Sequence, residues 1–267
     1  MRELYIRGIS GILYIALILG SVLYDQLIFT LVILIFSGLV MFEFQRLVNH
    51  KSYMPIALVI LLVYNFYQSN IDTTELLYPL ISVFMAHTFV MYWLFSDKEI
   101  RLGYLSRTLL TIFYIGMGCF FIIVLGGNAD QFQPKNILLF FVLIWANNSF
   151  AYLVGRKLGK KPLFPSVSPK KTWEGFIGGL IFTFITAYIF QNFYSEQSMG
   201  SYITVTFLTS VLATFGDLIQ SQFKRYAKVK DSGSLIPGHG GFFDRMDSAI
   251  FVAPWFYLLL NFKEYVS

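Results

Sequence analysis

Apolar runs too long for a one-sided helix constrain this chain more than any other feature. Residues 11–24 read GILYIALILGSVLY, 27–42 read LIFTLVILIFSGLVMF and 109–127 read LLTIFYIGMGCFFIIVLGG. Each is apolar on every face of a helix, whereas a surface helix in a water-soluble domain carries a single apolar stripe. Such runs suit a bilayer, whose hydrocarbon takes about 20 residues of helix to cross. Charge content agrees, because only 13% of residues are charged where a soluble domain has about 25%. Too little polar surface remains to cover a water-facing globule of 267 residues.

The expected fold is all-α, a polytopic bundle of about nine transmembrane helices. The spans fall near 8–24, 27–44, 54–69, 76–95, 106–126, 136–155, 175–194, 202–221 and 248–262. Arg2 and Arg7 precede the first run, but no small-residue cleavage site follows it, so it is read as a retained span. With the N-terminus inside, every Lys and Arg except Lys135 and Lys263 falls on the cytoplasmic side, as the positive-inside bias requires. No tandem repeat or linker divides the chain. Residues 1–135 form N-terminal transmembrane helices, and 136–267 add further helices and the loops that carry the chemistry, within one continuous membrane domain. The single cysteine, Cys119, lies inside an apolar run, where a thiol packs as a small apolar residue.

Three stretches hold polar residues that a plain anchor would not need: 145–179, 214–225 and 226–248. Asp217 follows VTFLTSVLATFG, well inside an apolar span, where an unpaired carboxylate costs roughly 2.5–3.5 kcal/mol on insertion scales. If the helix continues, Ser221 and Lys224 fall four and seven residues on, along the same face. Asp244 and Asp247, spaced i,i+3 in DRMD, share one side of a helix start and repel each other unless a cation lies nearby. Oxygen ligands with few His or Cys near them favour magnesium over zinc. Lys170, Lys171, Lys224, Arg225, Lys228, Lys230 and Arg245 stand near these acids in sequence. Gly238, Gly240 and Gly241 around His239 permit tight turns and close approach of backbone to a ligand. Acids for a metal, cations and glycine-rich backbone for phosphate oxygens: together these fit a polyphosphate with magnesium. GRKLGKK at 155–161 lacks the Walker spacing, and neither HExxH nor GxSxG occurs. The many aromatic residues are assigned to lipid interfaces and packing, so no nucleic-acid partner is expected.

From Ser221 to Asp247 the chain reads S-x-F-K-R-x4-K-D-x-G-x2-I-P-x-H-G-G-F-x-D-R-M-D. This resembles the signature of the phosphatidate cytidylyltransferases, or CDP-diacylglycerol synthases, with each fixed position occupied. SPKKTWEGFIGG at 168–179 and GDLIQSQFKR at 216–225 agree as well. The resemblance implies a bundle of about nine helices with a polar cavity open to the cytoplasm. It implies the reaction of CTP with phosphatidic acid to give CDP-diacylglycerol and pyrophosphate, in phospholipid biosynthesis. It places catalytic roles on Asp217, Asp244, Lys224, Arg225, Lys230 and Arg245, and magnesium on Asp217 and Asp244 with Asp247 close by; potassium beside magnesium stays open. Substrate-binding positions are Ser168, Lys170, Lys171, Thr172, Ser221, Asp231, His239, Gly240 and Gly241, with Asn148 added because WANNSFAY puts an amide where the family has an aspartate. Expected partners are CTP, phosphatidic acid and membrane lipid, a homodimer being left open. The expected location is a bacterial inner membrane with the site facing the cytoplasm. Alternatives are a CTP-dependent lipid or polyprenol kinase, and a weakly active or inactive relative on account of Asn148.

Overall fold

A computed structural model describes residues 2–69, 74–96, 100–128, 131–194, 199–238 and 240–261. The chain runs through α1 (Arg2–Tyr24), α2 (Gln26–Leu47), α3 (Met54–Gln68), α4 (Leu77–Phe95) and α5 (Tyr104–Leu109). A π-helical turn (Leu110–Gly116) joins α5 to α6 (Met117–Val124), and α7 (Pro134–Leu158) follows. Strands β1 (Pro162–Phe164) and β2 (Ser168–Thr172) precede α8 (Trp173–Tyr194), α9 (Met199–Tyr226) and α10 (Phe243–Leu260). Among the described residues the regular structure is thus helical apart from one antiparallel hairpin, with Pro162 opposite Thr172 and Phe164 opposite Ser168. The hairpin was not anticipated, because its strands are too short and too polar to show an alternating pattern.

Among the described residues six helices are long and apolar enough to cross a membrane: Gln26–Leu47, Leu77–Phe95, Tyr104–Val124, Pro134–Leu158, Trp173–Asn192 and Tyr202–Tyr226. Nine had been expected, and the difference has physical causes. Gly8–Tyr24 and Met54–Gln68 are apolar but short, and α10 carries Asp244, Arg245 and Asp247 in its first two turns. Large apolar side chains such as Ile12, Leu23, Ile35, Met85 and Ile181 are more than half exposed, an outer surface that water would not tolerate and lipid does.

Local chemistry sets the helix ends. Asp25 separates α1 from α2 with an extended backbone, and its carboxylate accepts from the Leu27 N–H at 2.7 Å, a standard N-cap. Pro55 and Pro134 open α3 and α7, where a missing N–H costs nothing. The α2 and α9 C-termini close alike: His50 N–H reaches Gln45 O and Val229 N–H reaches Lys224 O, with Asn49 and Lys228 left-handed between them.

Tyr104–Val124 is the centre of the bundle, with 78% of its apolar window buried against other helices, whereas Trp173–Asn192 has 28% and lies at the edge. Phe44, Trp93, Tyr114, Phe223 and Phe243 interlock beside it through edge-on ring contacts. At Gly118 the centre meets α10 so closely that a Cβ would sit 2.5 Å from the Ile250 carbonyl oxygen. Gly118→Ala should therefore cost about 1–3 kcal/mol, read as a lower midpoint of thermal unfolding in detergent. Gly20→Ala, with nothing within 4 Å of the added carbon, should leave that midpoint unchanged or higher.

Candidate functional site

The C-terminal half of α9, the first turns of α10 and the β1–β2 hairpin meet at one end of the bundle. Because α9 continues unbroken to Tyr226, Asp217, Ser221 and Lys224 do share a face, as their spacing suggested. Asp217 is 35% exposed and pairs with Lys171, whose Nζ stands 2.6 Å from Oδ2. Lys171 comes from β2, so the hairpin brings a cation to the middle of α9. The Ser221 hydroxyl lies 3.5 Å from Asp217 Oδ1, at the limit of a hydrogen bond. Neither partner is sealed from solvent, so an incoming anion or cation can reach the pair.

Asp244 is placed very differently. Its Oδ1 accepts from Gln220 Nε2 at 2.6 Å and Lys224 Nζ at 2.8 Å. Its Oδ2 accepts from the Ser232 N–H at 2.9 Å, the Ser232 hydroxyl at 2.8 Å and the Gly241 N–H at 2.9 Å. Five donors from α9 and the 231–241 loop therefore converge on one carboxylate. The loop folds back on itself, Ile236 N–H bonding Gly240 O, and Gly240 adopts φ +85 beside Asp244, where a Cβ would lie 2.7 Å from Oδ2. The sequence assigned Asp244 to magnesium; here its oxygens are taken up in fastening Lys224 and the loop to α10.

One turn on, Asp247 is 7% exposed and its Oδ1 accepts from the Ser248 N–H at 2.6 Å. The Asp217 charge acts unfavourably on it, and Lys224 and Lys171 act in the opposite sense. Gly216 makes this closeness possible, since a Cβ there would come within 2.9 Å of the Asp247 carbonyl oxygen. Two neighbouring carboxylates, one nearly sealed from water, match a divalent cation that takes its remaining ligands from water and substrate phosphates. No cluster of three or more His, Cys, Asp or Glu side chains suited to a metal occurs among the described residues. Beneath them runs a polar chain: Asn148 Nδ2 donates to the Ser248 hydroxyl at 3.1 Å, and that hydroxyl donates to Ala213 O at 3.0 Å. Asn147 Oδ1 accepts from Ser210 at 2.6 Å and Asn147 Nδ2 reaches Asn148 Oδ1 at 3.3 Å. Asn148 thus ties α7 to α10 by donating, which an aspartate cannot do.

Glu43 on α2 is the participant that sequence reasoning missed. It is 2% exposed and accepts from the Phe242 N–H at 3.1 Å, the Phe243 N–H at 2.9 Å and the Ser232 hydroxyl at 3.0 Å. A carboxylate from the N-terminal half therefore caps the helix that presents Asp244 and Asp247. The signal was available: Glu43 sits in LVMFEFQRL, an acid flanked by apolar residues just as Asp217 is.

The other expected residues divide into groups. Arg225 Nε donates to Val167 O at 3.1 Å and pins the hairpin to α9. The Thr172 hydroxyl accepts from the Gly175 N–H at 3.1 Å and caps α8, while Glu174 accepts from the Lys160 and Lys161 N–H groups, so Thr172 is occupied in structure. Ser168 is half-buried on β2; Lys170, Lys230, Asp231 and Arg245 are exposed. His239 lies outside the described residues.

The sequence profile of the cytidylyltransferase family matches residues 5–263. The phosphatidate cytidylyltransferase of Bacillus subtilis (strain 168) is 34% identical over 271 residues, covering 97% of this chain and 98% of that protein. That of Haemophilus influenzae is 46% identical over 133 residues, 48% of this chain and 46% of its own length. That of Staphylococcus haemolyticus is 35% identical over 178 residues, 66% of each.

Truncating Glu43 strands the Phe242 and Phe243 N–H groups in a buried setting, at about 1–3 kcal/mol for each unsatisfied group. Glu43→Ala should lower the thermal midpoint in detergent by several degrees. Glu43→Gln, which keeps one acceptor oxygen, should lose less than half as much.

Proposed function

The chain belongs to the cytidylyltransferase family, and we propose that it transfers the cytidylyl group of CTP to phosphatidic acid, giving CDP-diacylglycerol and pyrophosphate. One observation carries this reading: the relative matched from end to end, at 34% identity, is a phosphatidate cytidylyltransferase. The site's chemistry supports it, since acids and cations that suit two phosphorylated substrates gather at one end of the bundle.

In the proposed reaction a phosphate oxygen of phosphatidic acid attacks the α-phosphorus of CTP. Its lone pair makes the new P–O bond, the bond from the α-phosphorus to the bridging oxygen breaks, and pyrophosphate leaves with that electron pair. The nucleophile is already an anion near neutral pH, so no strong base is needed. The obstacle is repulsion between two highly charged groups, and the residues at hand address it. Lys171, held by a half-buried pair with Asp217 and a long hydrogen bond to the Thr214 carbonyl, can exchange the carboxylate for a phosphate oxygen. Lys224, fixed on Asp244, keeps a positive charge at the junction of α9 and α10. Magnesium would be held by Asp217 and Asp247, and when bound it supplies positive charge to phosphate oxygens. Asp244 keeps the basic loop in register with both.

We further propose nine crossings of a bacterial inner membrane, N-terminus inside, with the site facing the cytoplasm. Several contacts support it. The ends of α2 and α9, the starts of α5, α8 and α10 and the hairpin share one side. Gln26 at the start of α2 bonds the Gly127 and Asn128 carbonyls beyond α6, grouping those ends at a second location.

Purified protein given radiolabelled CTP and phosphatidic acid should place label on the lipid, whereas a CTP-dependent kinase would release CDP and leave no cytidine there. Asp217→Ala and Asp247→Ala should each lower that incorporation by about 10²–10³-fold, the usual loss of an electrostatic contributor, and chelation of divalent cations should abolish it. Full activity in either variant rules out the paired-carboxylate site. For topology, Cys119 is the single cysteine and is buried, so added cysteines report cleanly. Cysteine at Ser52 or Lys160 should resist an impermeant thiol reagent in intact cells, and cysteine at Gln131 should react.

A further inference from the structure

A polar cavity of about 650 Å³ opens beside the loop that carries Ser232, and two arginines from the N-terminal half line it. Its walls are the α2 C-terminus with Arg46 and Asn49, Arg107 of α5, Tyr226 at the end of α9, and Asp231 to Ser234. Its volume lies in the range of about 300–1,000 Å³ that holds small-molecule ligands. Positive-inside bias accounts for arginines on this side of the membrane, but not for two of them turned into one cavity.

One guanidinium is fixed in place and the other is left uncommitted. Arg107 Nε donates to Leu102 O and its Nη1 to Asn49 O, each at 2.9 Å, which locks it against the α2 terminus. Arg46 sits in the last turn of α2, exposed, and its guanidinium has no hydrogen bond or ion pair among the described residues. Neither arginine meets a carboxylate in an ion pair among those residues. An arginine near a helix C-terminus also suits the helix dipole. That role is weak here, because hydrogen bonds from Asn49 and His50 already occupy the last-turn carbonyls of Arg46 and Gln45. With Asp231 the only acid among the described wall residues, their side chains sum to a net positive charge. The cavity adjoins the reactive end directly: Ser232 lines it, and the same residue's N–H and hydroxyl hold Asp244.

We propose that this cavity binds a phosphorylated anion through its phosphate oxygens, with Arg46 as the adaptable ligand and Arg107 as the fixed one. The inference rests on the cytidylyl-transfer reading for the identity of that anion, which is either the polyphosphate of CTP or the headgroup of phosphatidic acid. Two forked guanidiniums suit either, because each can give paired N–H groups to phosphate oxygens.

The test uses full-length protein in mixed micelles, comparing wild type, Arg46→Gln and Arg46→Lys, with thermal midpoints checked for equal folding. A hydrogen bond to a charged group is worth about 1.5–3 kcal/mol and each 1.4 kcal/mol is tenfold. Arg46→Gln should therefore raise one KM by about tenfold or more, with kcat within about twofold and Arg46→Lys intermediate. A rise in the KM for CTP identifies the nucleotide, and a rise in the KM for phosphatidic acid identifies the lipid headgroup. Both KM values staying within twofold of wild type overturns the proposal and leaves Arg46 as a membrane-surface charge. Should the wild type make no CDP-diacylglycerol, the reaction reading falls, and calorimetric binding of inorganic pyrophosphate decides this one separately. Weaker binding by Arg46→Gln supports the site; equal or absent binding in both proteins overturns it.

Discussion

Two buried carboxylates that accept hydrogen bonds at the start of α10 set the layout of this end of the molecule. Asp244 takes five donors, and Glu43, reaching across from α2, takes three. Ser232 touches both, so loop, helix start and N-terminal half are joined at one residue. A hydrogen bond to a charged group is worth about 1.5–3 kcal/mol, and leaving such a donor buried and unpaired costs as much again. The loop from Asp231 to Gly241 has little apolar content with which to hold itself in place. These bonds hold it.

That arrangement separates one carboxylate with all its acceptor positions in use from two that have few partners. Asp244 is saturated, and nothing further can approach it without breaking a bond that keeps the loop in position. Asp217 and Asp247 are not: Asp217 has one half-buried lysine and a distant hydroxyl, Asp247 has one backbone N–H, and the Asp217 charge acts on Asp247. Repulsion between two acids at the edge of an apolar interior is costly even with Lys171 beside one of them. It is tolerable in a site that admits a cation and phosphate groups from outside, and an assembly built only for stability would have replaced one acid with a neutral side chain.

How much of this was legible in the sequence depends on the range of each interaction. The stripe of Asp217, Ser221 and Lys224 could be read because helical spacing alone decides it. The partner of Asp217 could not, since Lys171 arrives from a hairpin whose three- and five-residue strands leave no periodic trace. Span count stays coarser for a related reason: α10 combines a membrane-length helix with the charged start of the site, so composition alone does not pick it out as a span. Glu43 was missed although its signal matched that of Asp217, because the motif-rich C-terminal half drew attention from an isolated acid in an apolar run. Asn148 stood out as a departure from the family, but its use as a donor to Ser248 depends on how α7 and α10 cross.

The N-terminal half is therefore more than lipid-facing bulk. Its α2 helix contributes Glu43 to the start of α10 and, one turn later, Arg46 to the cavity on the far side of the same loop. Residues 43 and 46 lie three apart, on one side of a helix whose end is fixed by its closing turn. The carboxylate of that pair is buried and replaces water for backbone N–H groups; the guanidinium is exposed, and no described residue pairs with it. A rigid helix that grips the loop with one side chain and offers an uncommitted cation with the next couples loop position to anion binding. Any shift of the loop that moved Asp244 would also move the cavity wall facing Arg46, so the proposed anion site and the geometry of the reacting end both depend on Glu43 and Arg46 of α2, Asp244 of α10 and Ser232 of the loop between them.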